Sequence, residues 1–475
     1  MNTIKYYLRG GVFLLSFLSG PWVLDNVSAE DSKLEAIELE LEELRRQAAK
    51  QQEKIQSLEK AVSDSRTVPQ VTESASPAPA RESSDIWSKS VGNTQLRLID
   101  VSLDALIGAG WSTEDDETLD QLQGGGHDPN RRGFTVQNIE LSLTGAIDPY
   151  LTGETHLIYF IDKDGESQFE LEEAFLTTQT LPAGLQLEVG QSFTEYGIIN
   201  PTHPHTWAWQ DQPLINTRLF GPDGMRGAGF RLGWLTSLPW YSEVHLSAQN
   251  ATGETMTSFR GENGVGGRPT VERTTDSLND LVYLARLENS WDLSDTVTTK
   301  IGFSGIYGPN NSGTDSDTWI YGSDLKLTWR PLNSHKGWPF VSWQSEYSQR
   351  TFDAAPFSGA VETEEGTEEV SYSGDSLKDS GFYTQLLWGF YPGWAAGTRL
   401  EYVTGSGDSI GGRENDPLRS DRYRLSPLLS WHPSEFSRIR LQYNYDDADI
   451  LSDGTAHSVW LGFEWLYGAH PAHKY

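Results

Sequence analysis

Arg438-Ile439-Arg440-Leu441-Gln442-Tyr443-Asn444-Tyr445 decides the fold. Its odd positions (Ile439, Leu441, Tyr443 and Tyr445) are apolar and its even positions are charged or amide. A period of two puts these sets on opposite faces of a strand. A strand that is apolar on one face and charged on the other suits a wall between lipid and water. The same alternation recurs about sixteen times from residue 94 to the C-terminus. Ile139, Leu141 and Leu143 alternate with Glu140, Ser142 and Thr144. Val459, Leu461, Phe463, Trp465 and Tyr467 line one face of the last strand.

The gaps between these runs are alternately short and long. Asp148-Pro149-Tyr150, Ser237-Leu238-Pro239 and Pro392-Gly393 are tight; 111–133, 195–225, 251–278 and 351–379 are long. Outer-membrane barrels have short periplasmic turns and longer outer loops. The expected fold is therefore an all-β transmembrane barrel of about 16 antiparallel strands over 94–475, in a bacterial outer membrane. A soluble sandwich or propeller would also alternate. A propeller needs a repeat of about 40 residues, and none is seen; a sandwich does not need alternating gap lengths.

Composition agrees. The chain has 475 residues, with 17 Trp, 19 Tyr and 18 Phe. Mean hydropathy is nevertheless negative, and past the N-terminus no apolar run reaches the roughly 20 residues of a membrane helix. The formal net charge of −31 argues against nucleic acid as a partner. There is no cysteine, so neither a disulfide nor a lipidated cysteine anchor is available.

Residues 1–29 read as a signal peptide, with Lys5 and Arg9 ahead of an apolar stretch and Val27-Ser28-Ala29 at the cleavage site. Over 30–65, Leu34, Ile37, Leu41, Leu44, Ala48, Gln51, Ile55, Leu58 and Val62 step by three and four. This heptad pattern predicts an α-helical coiled coil, here a periplasmic stalk and the seam of a homotrimer. Residues 66–93, with Pro69, Pro77 and Pro79, read as a flexible linker.

The inward residues suggest a lumen with two characters. Early strands contribute Asp100, Asp104, Glu140, Glu170, Glu172 and Glu188. Later strands contribute Lys300, Lys326, Arg399, Arg422, Arg424, Arg438 and Arg440. Strands far apart in sequence are expected to face each other, which would set a transverse field across the pore. Segment 195–225 holds far more Pro, Trp and apolar residues than a solvent-facing loop needs, so it is expected to fold inward. The expected constriction combines His203, His205, Asp211, Arg218 and Arg226 with Arg422, Arg424, Arg438, Arg440, Glu140 and Glu188. His203 and His205, with Asp211, are a loose candidate zinc set. Acidic loops at Glu114–Glu117 and Glu362–Glu369 are candidate calcium sites. No cofactor is otherwise expected, and no nucleophile–base set stands out.

Arg132-Gly133-Phe134-Thr135-Val136-Gln137-Asn138-Ile139-Glu140, Gly190-Gln191-Ser192-Phe193-Thr194-Glu195-Tyr196-Gly197, and the His203-Pro204-His205 segment through Arg218-Leu219-Phe220 carry a family likeness. Over roughly 95–475 the chain resembles bacterial outer-membrane porins with an N-terminal coiled coil. It is similar to a porin-like family sometimes labelled zinc-regulated TonB-dependent receptor-like. The porin resemblance implies passive diffusion of small hydrophilic solutes or ions. The receptor label implies a globular plug and about 22 strands, where this chain has a stalk and room for about 16. An energy-coupled uptake receptor and a structural envelope tether are the alternatives.

Overall fold

The computed structural model describes residues 88–91, 94–97, 99–162, 165–363, 366–407 and 419–468. The signal peptide, the coiled coil and most of the linker lie outside them. Part of the expected linker is structured: Ser88–Val91 pairs with Thr94–Arg97 in a small hairpin.

Sixteen antiparallel strands close into one barrel. They are β1 (Ile99–Ser112), β2 (Gly133–Ala146), β3 (Leu151–Ile161), β4 (Ser167–Thr178), β5 (Leu185–Phe193), β6 (Arg226–Leu235), β7 (Tyr241–Asn250) and β8 (Leu281–Ser294). There follow β9 (Val297–Pro309), β10 (Asp317–Trp329), β11 (Phe340–Ala354), β12 (Asp375–Tyr391), β13 (Trp394–Ser406), β14 (Arg422–Ser434), β15 (Ser437–Ala448) and β16 (Thr455–Gly468). Pairing of β16 with β1 closes the wall. Closure satisfies every strand edge, as a lipid-embedded sheet requires. Among the described residues no helix is long and apolar enough to cross a membrane.

The exterior follows the alternation. Val459, Leu461, Phe463 and Trp465 are exposed, whereas Trp460 and Glu464 between them are buried inward. Large apolar side chains stand outward on strand after strand, Phe230, Leu246, Phe303, Trp343, Leu386 and Leu441 among them. Such a belt is far larger than the few hundred Å² a soluble surface carries. At the short-turn end, Trp394 stacks on Trp431 with ring centroids 5.7 Å apart, and Tyr150, Trp234 and Tyr467 are exposed.

Two departures from alternation matter inside. β2 carries an extra residue at Gln137, so Gln137 and Asn138 are both buried. β4 does the same at Glu172, which sends Glu172 and Glu173 both inward. A bulge of this kind re-aims side chains without breaking the sheet. At the long-loop end, 351–379 is mostly not loop. β11 and β12 extend beyond their expected ends and carry a second hairpin, Phe357–Thr363 with Gly366–Tyr372.

Candidate functional site

Segment 195–225 leaves the end of β5, crosses the lumen and returns to β6. Its contacts trace the path. Tyr196 Oη donates to Ser348 on β11 at 3.0 Å. The N–H groups of Ile198 and Ile199 donate to the two carboxylate oxygens of Glu346, each at 3.0 Å. Gly197 makes this approach possible: its φ is +65°, and a Cβ there would sit 1.9 Å from Glu346 Oε2. A short helix, α2 (Leu214–Phe220; α1, Asp116–Leu122, lies in the β1–β2 loop), then packs against β12 and β13.

Two clusters of buried charge seat the segment. In the first, His203 and His205 meet the carboxylates of β2 and β4. His205 Nδ1 lies 2.9 Å from Glu140 Oε2. His203 lies 2.7 Å from Glu172 and 2.9 Å from Glu173. His156 on β3 completes the set, 2.8 Å from the other Glu140 oxygen. Burial alone would pull the two loop imidazoles down. Glu140, with Glu172 beside His203, outweighs it and holds His205 raised and His203 well above the usual range.

The second cluster is built on Asp211. Its carboxylate accepts from Arg399 at 2.6 Å, Arg424 at 3.1 Å, Gln442 at 2.8 Å and Asn444 at 2.9 Å. Burial would push this carboxyl up; Arg399 and Arg424 outweigh it and hold it at about 2. Backbone groups close the grip. Arg438 donates to the carbonyls of His205 and Trp207, each at 2.8 Å. Arg440 donates to those of Trp207 and Trp209. Glu401 accepts the Leu214 N–H at 2.7 Å.

The sequence-derived residues are thus found at the segment or at its seats. Arg218 donates to the carbonyls of Arg419 and Ser420. Arg226 pairs with Glu170. Glu188 pairs with Arg231, which also takes Glu195. Arg422 shares Asp446 with Arg424 and donates to Leu122 of α1.

Two expectations need correction. First, the early acids and late bases face each other only in part: β9 and β10, with Lys300 and Lys326, stand opposite β1 and β2, with Asp104 and Glu140. Because β16 pairs with β1, β15, with Arg438 and Arg440, is separated from β2, with Glu140, by those two strands alone. Nor is the late wall purely basic. Asp446 serves Arg422 and Arg424, Glu464 serves Arg438 and Arg440, and Glu401 serves Arg399. The alternation of β15 puts Asp446 on the face of Arg438 and Arg440, and Glu401 is two residues from Arg399, so the sequence itself carries both acids. Glu173 was hidden by the β4 bulge.

Second, Asp211 does not join His203 and His205; it is committed to arginines. Among the described residues, two trios bring donor atoms within 4.8 Å of one another: Glu140, His156 and His203, and His127, Glu170 and Asp223. In the first trio each imidazole nitrogen already faces a carboxylate. At Glu114–Glu117, Asp115 caps α1 by accepting from Thr118 N and Asp116 pairs with Arg132. The side chains at the tip of the Glu362–Glu369 stretch lie outside the described residues.

Above the segment, toward the long loops, the lumen is packed. Tyr196, Ile199, Trp207, Leu214, Ile215, Leu219 and Phe220 form one apolar cluster with Met256 and Phe259 of the β7–β8 loop and with inward Val282, Leu284, Ile306, Ile320 and Val403. Below it, toward the short turns, lies a cavity of about 500 Å³.

No family model matches the chain, so the receptor-like label gains no support there, and sixteen strands disagree with its about 22. A protein of Aquifex aeolicus (strain VF5), described only as an uncharacterized protein, is 28% identical over 369 residues, covering 74% of this chain and 73% of that one. Among solved structures, the outer membrane channel DcaP of Acinetobacter baumannii has a TM-score of 0.49 at 10% identity, covering 78% of this chain and 97% of that one. An anion-selective porin from Comamonas acidovorans has a TM-score of 0.47 at 8% identity, covering 78% and 99%. Pseudomonas putida OprB has a TM-score of 0.46 at 11% identity, covering 78% and 94%. At that level of similarity, function must be argued from this chain's own residues.

Proposed function

We propose that the chain is an outer-membrane porin, a passive channel for small hydrophilic solutes or ions in which 195–225 is the constriction. One observation carries this: a closed barrel, apolar outside, encloses a charged lumen crossed by its own chain. A barrel that served only as an anchor has no need for buried ion pairs in its lumen, since each charge must be desolvated and matched. In this reading the short turns face the periplasm, the 30–65 stalk joins three copies, and the arginines and Asp211 hold the constriction in place. His203, His205 and Glu188 edge the passage.

Planar-bilayer recording tests it. Purified protein should give stepwise currents of small conductance, because the upper lumen is packed. A chain that inserts and never conducts overturns the reading in favour of an envelope tether. A second reading follows from the apolar cluster above the segment: conduction only when 195–225 leaves its seat. Loosening the seat then raises open probability from near zero, rather than widening a channel already open.

A further inference from the structure

Strand register places a row of donors around one side of the lower lumen. Lys300 on β9 lies directly opposite Lys326 on β10. Lys326 is opposite Gln344 on β11, Gln344 is opposite Gln385 on β12, and Gln385 is opposite Arg399 on β13. All five line the cavity of about 500 Å³ under the inserted segment.

The row carries more positive charge than its surroundings neutralise. Like charges directly opposite on a strand pair are destabilising, and Lys300 and Lys326 are such a pair. Lys300 is answered by Glu288 at 2.5 Å. Arg399 is answered by Glu401 and Asp211. No described carboxylate lies within ion-pair distance of Lys326. The residue is half-buried in the lumen wall.

Next to this row the lumen turns apolar, which a water-filled barrel interior does not require. Phe340, Leu387 and Leu428 line the cavity toward the short turns, and Trp209 covers it from the segment. Phe340 and Leu428 are almost wholly buried. Trp209 is held by its Nε1–H, which donates to the Ser426 carbonyl at 2.8 Å. A cavity of this size with apolar walls and a few convergent polar groups has the form of a small-molecule site.

We propose that this cavity binds an organic anion with an apolar body: a monocarboxylate whose head is taken by Lys326 within the donor row and whose hydrocarbon lies against Phe340, Leu387, Leu428 and Trp209. The carboxylate supplies the charge that the Lys300–Lys326 pair lacks. The apolar body displaces water that gains little from those walls. The inference rests on the channel reading only in making such an acid the carried solute; binding is measured without current.

Benzoate is the probe, titrated calorimetrically into the full-length protein in detergent, with acetate and benzyl alcohol as controls. Benzoate should bind saturably, and acetate and benzyl alcohol far more weakly, each lacking one half of the recognition. K326Q should weaken benzoate binding about tenfold or more, the usual worth of a charge-assisted contact, and K326R should keep most of it. L428Q tests the apolar wall separately: it should weaken benzoate and leave acetate unchanged. Folding of each variant is checked by resistance to unfolding in detergent at room temperature.

No benzoate binding by the wild type, equal binding of acetate, or unchanged affinity in a folded K326Q protein each overturns the site. A protein that binds benzoate and passes no current keeps the site and refutes the channel. One that conducts without binding benzoate does the reverse.

Discussion

The two halves of the lumen solve different problems. The long-loop half is packed like the core of a soluble protein: inward Val282, Leu284, Ile306 and Ile320 meet apolar residues from two loops. The short-turn half keeps a cavity edged by cations and amides. Between them lie buried ion pairs, with Arg286–Asp324, Arg399–Asp211 and Arg424–Asp446 among them. The difference shows what an inserted segment needs. Its apolar side requires an apolar ceiling, its backbone requires donors and acceptors from the wall, and the space beneath stays open as a cavity.

The largest effect should come from breaking the boundary between the halves. Asp211→Asn keeps the shape but leaves Arg399 and Arg424 short of one negative charge. Removing one partner from a buried charge set costs about 3–5 kcal/mol. Urea unfolding should fall by that order, and bilayer currents should become larger or noisier as the segment loosens. Unchanged stability and current would mean that the Asp211 cluster does not hold the two halves apart. A smaller loss is expected from Gly197→Ala. A Cβ at φ +65° both strains the backbone and meets Glu346, worth about 1–3 kcal/mol. In a Glu346→Ala background, where the atom that a Cβ would meet is gone, Gly197→Ala should still cost the backbone part, so no further loss there would assign the whole effect to the clash.

The outer wall was legible in the sequence and the inner packing only partly. Period-two alternation needs only that lipid and lumen differ, and Val459 to Tyr467 state that difference residue by residue. The apolar excess of 195–225 also announced that it must pack. What it packs against was visible in part: Leu281-Val282-Tyr283-Leu284 and Trp319-Ile320-Tyr321 are apolar on both faces, the mark of a strand end with a dry interior. The bulges at Gln137 and Glu172 shift parity and leave no composition signal. Ring closure was the larger loss. Distance in sequence suggested opposition across the lumen, which holds for β2 and β10 but not for β2 and β15, because closing sixteen strands makes the first and last neighbours.

The histidine seat makes the same boundary sensitive to pH. His203 and His205 have folded pKa values above the unfolded imidazole value of about 6.5. Their contribution is therefore full below that pH and is lost as pH rises through the folded values. The thermal midpoint should be flat near pH 6 and decline toward pH 9. His203→Asn combined with His205→Asn should flatten the decline, and an unaltered slope would move the cause elsewhere.

The smallest effect concerns Trp209, at the point where the segment touches a flaw in the wall. Pro427 sits inside β14 and has no N–H to give, and the pairing of β14 with β15 skips Ser426 and Pro427. The Ser426 carbonyl is instead taken by Trp209 Nε1 at 2.8 Å. Trp209→Phe keeps most of the apolar cover of the lower cavity and removes this one donor. The net worth of such a bond is about 1 kcal/mol, so stability should drop by that order. Hydrogen exchange should quicken in β14 and β15 beside the gap and stay slow in β8 to β11. If exchange instead rose evenly around the barrel, Trp209 would be supporting the packed half as a whole rather than mending one strand pair in the half that is open.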